Sequence, residues 1–480
     1  MNPVMFIAIP LLVAFLATLL RKIPLFKSGW LPVAVLFAST LYAALMLPQV
    51  VANPINETIV IAAPLGINLY AGPLAISLIL FTSLFGMVIL SSSKMRELLS
   101  DGDAPSVITI LHFAGLNGLF LSGDLFNIFV FLEIASLSAY AITALSDSTK
   151  SLEASIKYIL AGSIASIALL VGIALVYFHT GTLNLAELST LSSSIPASVK
   201  SLMVISLLIA LLIEAEIFPF NTWVPDVYEG SGAEVSGMFS SMTLKATLYV
   251  LFRVVVTLTV SDSIRDLVLW IGLISMVVAE LGALKQKNLV RMFAYSSMAQ
   301  AGFMVAAFMA RAEGDTIFYM YTHSAIKAGI FLILSLVAGS GKLDSLKGIG
   351  RKNPIIGLSA IVLVLALLGL PPFSGFVGKI MMLKGLMGSV GSLGVIIVLV
   401  ASLIEAWYLL KLISIMYSPD IDDAKSISVI ESLPLLIPVL FVTVVGIYPK
   451  VVHSYSSAAS KDISTVEIYQ NNVLENGVER

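Results

Sequence analysis

Seven ionisable side chains interrupt stretches that are otherwise apolar enough to cross a bilayer: Glu133, Glu214, Lys245, His323, Lys327, Lys379 and Glu405. A charge in hydrocarbon costs at least about 2.5–3.5 kcal/mol on insertion scales. Each therefore needs a partner, water or an altered protonation state, and each is a functional candidate by default. Glu133 closes the run Asp124-Leu-Phe-Asn-Ile-Phe-Val-Phe-Leu-Glu133. It reads as a proton-carrying carboxylate, the alternative being an acid satisfied by a neighbouring hydroxyl. His323 and Lys327 stand at i and i+4, on one helix face. Histidine titrates near neutrality and a buried lysine can lose its proton, so this pair suits proton transfer. Lys245 has the same capacity, with a snorkelling surface role as its alternative.

The stretch Ile213-Glu-Ala-Glu-Ile-Phe-Pro-Phe-Asn-Thr-Trp-Val-Pro-Asp226 organises the rest. Proline removes a backbone donor and clashes with the preceding turn, so the helix must break at Pro219. Glu214 and Glu216 would point to nearly opposite helix faces. Glu214, five residues before the proline, reads as the pathway residue, and Glu216 as a cap for backbone freed by the break. A second stretch, Pro372-Phe-Ser-Gly-Phe-Val377 followed by Lys379, repeats the pattern, with Pro371 and Pro372 as its break. Secondary candidates are Glu216, Glu280 (whose simplest partner is Lys285 near the surface), His112 and Arg253. His179 is weaker, and Glu153–Lys157 reads as a structural i,i+4 pair. Acids and amines alternate, and the sequence offers no metal-ligand cluster, phosphate loop or nucleophile elbow. The pattern calls for charge relay across a membrane rather than covalent catalysis, with no catalytic residue, metal or cofactor of the chain's own.

Of 480 residues, 58% are hydrophobic and 12% charged, and none is cysteine. Apolar runs of about 18 residues or more recur from end to end, which makes this an all-α polytopic membrane protein. About fourteen transmembrane helices are expected, with two inverted five-helix repeats that each contain a broken helix. The expected divisions are residues 1–105 (helices 1–3 and an outer loop with strand character at Ile59-Val60-Ile61), 106–262 (first repeat, broken near 202–224), 263–418 (second repeat, broken near 355–385), 419–449 (last helix) and 450–480 (a polar tail). The N-terminus reads as a retained helix rather than a signal peptide. Without cysteine the chain supplies no thiolate ligands to iron–sulfur clusters, so redox chemistry would belong to a partner. No basic tract suggests nucleic acid.

Orientation follows from lysine and arginine in short loops. Arg21, Lys22, Lys27, Lys94, Arg96, Lys150, Lys285, Lys287, Arg291, Lys342, Lys347, Arg351 and Lys352 fall on one side; Lys200, Arg265 and Arg311 fall on the other. The rich side faces the cytoplasm, which places both termini outside a cell membrane. The acidic loop Asp226 to Glu234 then forms a cytoplasmic mouth.

At these residues the chain resembles the antiporter-like subunits shared by respiratory complex I, Mrp-type cation/proton antiporters and membrane-bound hydrogenases. The likeness is carried by Leu121-Ser-Gly-Asp-Leu-Phe-Asn-Ile-Phe-Val-Phe-Leu-Glu133, Phe218 to Asp226, Leu244-Lys245, Arg291 to Ser297, His323 to Lys327, and Leu370 to Lys379. The Asp-Leu-Phe-Asn run and the His323/Lys327 pair are most similar to the D-type component of Mrp antiporters and its hydrogenase relatives. The resemblance implies a fourteen-helix fold. Protons would be carried by a glutamate on span 5, lysines on spans 7 and 8, a histidine or lysine on span 11, and a lysine or glutamate on span 12. Glu133, Lys245, His323, Lys327 and Lys379 match. The span-7 lysine position holds Glu214 instead, so two carboxylates would face each other, with one of them protonated or a cation between them; Lys245 could serve as a common partner, and the departure leaves room for sodium.

The resemblance implies a proton- and/or sodium-translocating subunit within a multisubunit, redox-driven assembly. Its partners would be other antiporter-like and small helical membrane subunits, the lipid bilayer, and iron–sulfur or nickel–iron redox subunits. The alternatives are a gradient-driven Mrp Na+/H+ antiporter without redox chemistry and a non-conducting structural arm.

Overall fold

A computed structural model describes residues 1–20, 22–23, 29–59, 66–100, 104–146, 148–337, 341–419 and 424–475. Arg21, Lys27, Val60 and Ile61 lie outside the described residues. The main helices are α1 (Met5–Leu19), α2 (Trp30–Ala52), α3 (Pro73–Leu90), α4 (Ala104–Leu121), α5 (Leu125–Thr143), α6 (Thr149–Thr180), α7 (Ala197–Glu214), α8 (Val224–Met238), α9 (Leu244–Thr257), α10 (Asp262–Leu284), α11 (Leu289–Met309), α12 (Glu313–Val337), α13 (Pro354–Leu368), α14 (Ser374–Met416), α15 (Leu436–Ile447) and α16 (Lys450–Ser464). A two-stranded antiparallel hairpin, Ile55–Ile59 with Ile67–Ala71, links α2 to α3. It accounts for the strand character expected there.

Among the described residues, twelve helices are long and apolar enough to cross a membrane. The count is thirteen if the bent pair Leu343–Lys352 and Pro354–Leu368 is one span, and Met5–Leu19 is a shorter apolar helix. Two long segments contain a non-helical glycine: Gly232 (φ 85°) within α8, and Gly391 (φ 65°) within α14. Helix starts are set locally. Asp124 accepts from Phe126 N and Asn127 N to cap α5, and Ser148 and Ser151 form a capping box on α6.

Burial sorts the helices. The membrane-length window of α12 is 100% buried inside the chain and that of α11 is 94%, against 33% for α6 and 17% for α14. The wall that meets lipid or neighbouring subunits is therefore α6 and the far half of α14, where Ile164, Ile167, Phe178, Leu403 and Trp407 are exposed. The core is α8–α9, α11 and α12. Helices buried all round are the ones that can carry polar side chains away from lipid.

Two expectations need correction. Asp226 to Glu234 is not a loop, because α8 runs through most of it. Pro225 suits the first helical turn, where its missing N–H costs nothing, and Val227 and Tyr228 turn inward to the core. The polar tail is likewise folded. Val452, Ser456, Ala459 and Ile463 bury one face of α16, which packs against α3 and α12. The Tyr70 hydroxyl donates to Asp462 Oδ1 at 2.6 Å. Arg253 Nη1 donates to the Asp462 carbonyl at 3.4 Å, and its guanidinium lies 4.3 Å from the Tyr469 ring centroid. Burial pushes the Asp462 carboxyl above the usual carboxylate range, against the pull of Arg253 and Tyr70. Arg253 thus bonds the Asp462 main chain, with the Asp462 carboxyl in Coulombic range, and ties α9 to the C-terminal helix.

Replacing Asp462 by Ala should release α16. Limited proteolysis of the purified protein should then cut within residues 450–475 faster than in the parent. Gly375→Ala would bring a methyl to 1.7 Å from the Ala366 carbonyl oxygen. A thermal-unfolding scan in detergent should show a loss of about 1–3 kcal/mol or more, as for other overpacked sites.

Candidate functional site

The two breaks share one backbone design. Between α7 and α8, Ile217 N donates to Leu212 O (3.0 Å) and Phe220 N to Ile217 O (2.9 Å). Between α13 and α14, Leu370 N donates to Leu365 O (3.0 Å) and Phe373 N to Leu370 O (3.2 Å). The Phe218–Pro219 and Pro371–Pro372 peptides are both cis. Each break has a left-handed residue three positions before its cis proline: Glu216 (φ 63°) in the first, Gly369 (φ 76°) in the second. Pro219, Pro371 and Pro372 therefore sit in the breaks, as expected. All three are exposed on the chain's surface, where a residue without an N–H leaves no donor to satisfy.

The first break gathers acids. Glu133 on α5 accepts a hydrogen bond from the Ser166 hydroxyl of α6. Glu214 is 6% exposed, and Glu133 and Glu216 lie within Coulombic range of it. Glu216 is 4% exposed and is not the backbone cap expected of it, since the chain around the break satisfies itself through Ala215 N to Leu211 O and Ile217 N to Leu212 O. Its Oε1 instead accepts from the Tyr228 hydroxyl of α8 at 2.8 Å. Its Oε2 is buried without a hydrogen-bond partner among the described residues. Lys245 and Lys327 lie within Coulombic range.

The core carries amines. Between α8 and α9 a π-turn, Phe239–Thr243, precedes Lys245. Such turns recur at functional sites. Lys245 Nζ donates to Ser240 O at 2.5 Å and lies 2.6 Å from His323 Nδ1 on α12. It is therefore not a hydrogen-bonded common partner for Glu133 and Glu214. One turn along α12, Lys327 Nζ donates to Ser296 Oγ at 2.8 Å and Phe293 O at 3.3 Å, both on α11. Lys245, His323 and Lys327 are each 0% exposed.

The second break supplies an ion pair. Lys379 Nζ lies 2.9 Å from Glu405 Oε2. Gln300 Nε2 donates to Glu405 Oε1 at 3.0 Å, and the Tyr319 hydroxyl donates to Gln300 Oε1 at 2.7 Å. Gly369 matters here through close approach, because a methyl on it would meet Lys379 Cδ at 2.7 Å. The lysine stem lies across the turn. Glu280 makes no ion pair with Lys285 among the described residues. It is fully buried on α10, where the Tyr408 hydroxyl donates to its Oε2 at 2.9 Å, and Glu405 is within Coulombic range. Lys327 is in turn within Coulombic range of Glu216, Glu280, Glu405 and Lys379. One buried set of acids and amines therefore extends from one break to the other.

Three residues lie apart from that set. His112 bridges Ala135 O (2.9 Å) and Thr243 Oγ1 (3.0 Å), joining α5 to the π-turn. His179 is exposed, and Arg253 belongs to the C-terminal cluster. At one end of the broken helix, Asp226 pairs with Lys157 (2.6 Å) and with Arg291, while Glu229 lies 3.3 Å from Arg291. Lys157 also holds Glu153 at 2.7 Å. These side chains line an open cavity of about 220 Å³, at the place the sequence suggested for a mouth. The sequence reading did not single out Tyr228, Ser240, Ser296, Gln300, Tyr319 or Tyr408. Their signal was present as polar atoms in apolar helices, but uncharged side chains are too common there to stand out.

Comparison with known proteins follows the same lines. Residues 122–405 match the family described as NADH:quinone oxidoreductase/Mrp antiporter, TM. The chain is 30% identical over 434 residues to the N-type component of the NADH-quinone oxidoreductase of Desulforudis audaxviator, covering 86% of each. It is 27% identical to the D-type component of the Na(+)/H(+) antiporter of Bacillus subtilis, covering 86% of this chain and 87% of that one. Among solved structures, a chain of the membrane-bound sulfane sulfur reductase, an archaeal respiratory membrane complex, superposes with a TM-score of 0.93 at 32% identity, covering 98% of this chain and 99% of that one. A chain of the Mrp complex from Dietzia sp. DQ12-45-1b has the same fold, with a TM-score of 0.91 at 22% identity and the same coverage. With its breaks, its buried charges and more than half its length accounted for, the chain belongs to the NADH:quinone oxidoreductase/Mrp antiporter transmembrane family.

Proposed function

We propose that this chain is an antiporter-like subunit that moves protons across a cell membrane as part of a multisubunit complex, with sodium as the alternative ion at the acidic first break. The observation that carries the reading is the buried set between the breaks. Glu133, Glu214 and Glu216 stand at one end, Lys245, His323 and Lys327 in the middle, and Glu280, Glu405 and Lys379 at the other. Each lies within hydrogen-bonding or Coulombic range of another member. Moving one charge against 100 mV needs about 2.3 kcal/mol, and no side chain here supplies it, so the energy comes from partners. The likeness to the sulfane sulfur reductase chain favours a redox-driven assembly with iron–sulfur or nickel–iron subunits. The likeness to the Bacillus subtilis antiporter chain supports the gradient-driven alternative. Identification of co-purifying chains separates the two. Ion exchange by this chain alone in vesicles would overturn both in favour of a self-sufficient antiporter.

The matched breaks support the division into two inverted repeats, 106–262 and 263–418. The loop charges support an orientation with both termini outside. Because the chain lacks cysteine, single introduced thiols report the side directly. A membrane-impermeant maleimide should label Ser194→Cys in intact cells, and Ser146→Cys only after permeabilisation. The reverse result would invert the orientation.

The ion pair gives the sharper test. Removing one partner strands a buried charge at a cost of about 3–5 kcal/mol, whereas replacing both by neutral groups is often close to neutral. Lys379→Met and Glu405→Gln should each lower the unfolding temperature of the purified complex. The double variant should recover it. All three should lose at least about tenfold in proton transport by reconstituted vesicles. Undiminished transport in all three would leave the non-conducting structural arm as the reading.

A further inference from the structure

Glu216 and Gly369 occupy the same left-handed position in two otherwise matching turns. Only glycine adopts that conformation without a steric cost, and a strained residue retained at a functional site is a reason to look for its role. In the second break the glycine leaves room for the Lys379 stem to lie across the turn. The residue at Lys379's place in the first break is Asp226, which is occupied at the mouth with Lys157 and Arg291. The first break therefore receives no charge from its following half-helix. Its own turn residue is the charged one.

Resting on the translocation reading above, we propose that Glu216, rather than Glu214, is the acid through which the first break exchanges protons with the Lys245–His323 pair, and that Tyr228 is the residue that positions it. Glu216 is faced by Glu214 from its own turn, Tyr158 from α6, Tyr228 from α8, Lys245 from α9 and Lys327 from α12. Tyr228 fixes Oε1 at 2.8 Å and leaves Oε2 as a buried oxygen without a hydrogen-bond partner among the described residues. The ring of Tyr228 is itself held against Phe239 and Phe331. Its hydroxyl is also in reach of the Ser240 side chain, and the Ser240 main-chain carbonyl accepts from Lys245. The step is a plain proton exchange. The Lys245 ammonium becomes a neutral amine as the Glu216 carboxylate becomes a carboxylic acid, and the reverse transfer restores both. Glu214, with Glu133 and Glu216 in range, stands behind this step as part of the acidic reservoir.

The test uses the whole complex, purified through this chain and reconstituted in vesicles, with Lys379→Met as reference. Glu216→Gly copies the second break. It should unfold at the same or a higher temperature than the parent, because the turn is relieved of strain, yet transport at least about tenfold more slowly. A purely structural Glu216 predicts the opposite, unimpaired transport in the better-folded variant. Glu216→Gln should lose transport equally and lack one protonated-carboxyl band in proton-difference infrared spectra. In Tyr228→Phe that band should shift and the pH profile of transport should move. Parental transport by Glu216→Gly or Glu216→Gln, where Lys379→Met is inactive, overturns the proposal and leaves the translocation reading standing. An unchanged infrared band in Glu216→Gln also overturns it, even where the glycine variant fails to assemble. If Lys379→Met transports normally as well, the translocation reading fails and this inference falls with it.

Discussion

The buried ion pair of Lys379 and Glu405 exists because two surrounding conditions hold. Neither group could stay ionised in lipid, where a lone charge costs several kcal/mol, and attraction between them offsets that only with good geometry and further hydrogen bonds. Gln300 and Tyr319 supply those bonds from α11 and α12, the most enclosed helices. The break before α14 supplies the geometry, since the turn at Gly369 is the surface on which the lysine stem rests. The arrangement of helices follows from that need. The outward faces of α6 and the far half of α14 carry Ile164, Ile167, Leu403 and Trp407, whereas Glu405 and Tyr408 of the same α14 turn inward, so these polar groups lie where protein encloses them.

The two halves meet the same constraint differently. The second neutralises an acid with an amine across 2.9 Å. The first places Glu133 and Glu216 within range of Glu214 and keeps its amines further in, on α9 and α12. Like charges so close cannot all ionise cheaply. The first half thus presents a cluster of acids, and the second an acid and an amine in direct contact. Two matched positions, Glu216 against Gly369 and Asp226 against Lys379, carry much of this asymmetry.

Much of this was legible in the residues. Long apolar runs with rare charges fixed the class, and Pro219 and Pro372 with their following phenylalanines located both breaks. Geometry at a break was not legible. Alternation on an ideal helix placed Glu214 and Glu216 on opposite faces, but the left-handed turn at Glu216 ends the helix between them and turns both inward. Glu280 misled through sequence proximity to Lys285, whereas tertiary packing brings Tyr408 to it from the far half of α14. The C-terminal segment looked like a tail because its mean polarity is high. Its apolar residues nevertheless fall on one face, and Asp462 hides its charge beside Arg253 and Tyr70.

The π-turn at Phe239–Thr243 has a geometric corollary. An α-helix advances about 100° per residue, so the one extra residue such a turn accommodates decides which way everything after it points. Tightening those five residues to ordinary helix would swing Lys245 by roughly that angle, away from His323, with no side chain altered. The meeting of amine and imidazole is therefore set by the winding of the backbone ahead of the lysine as much as by the side chains themselves.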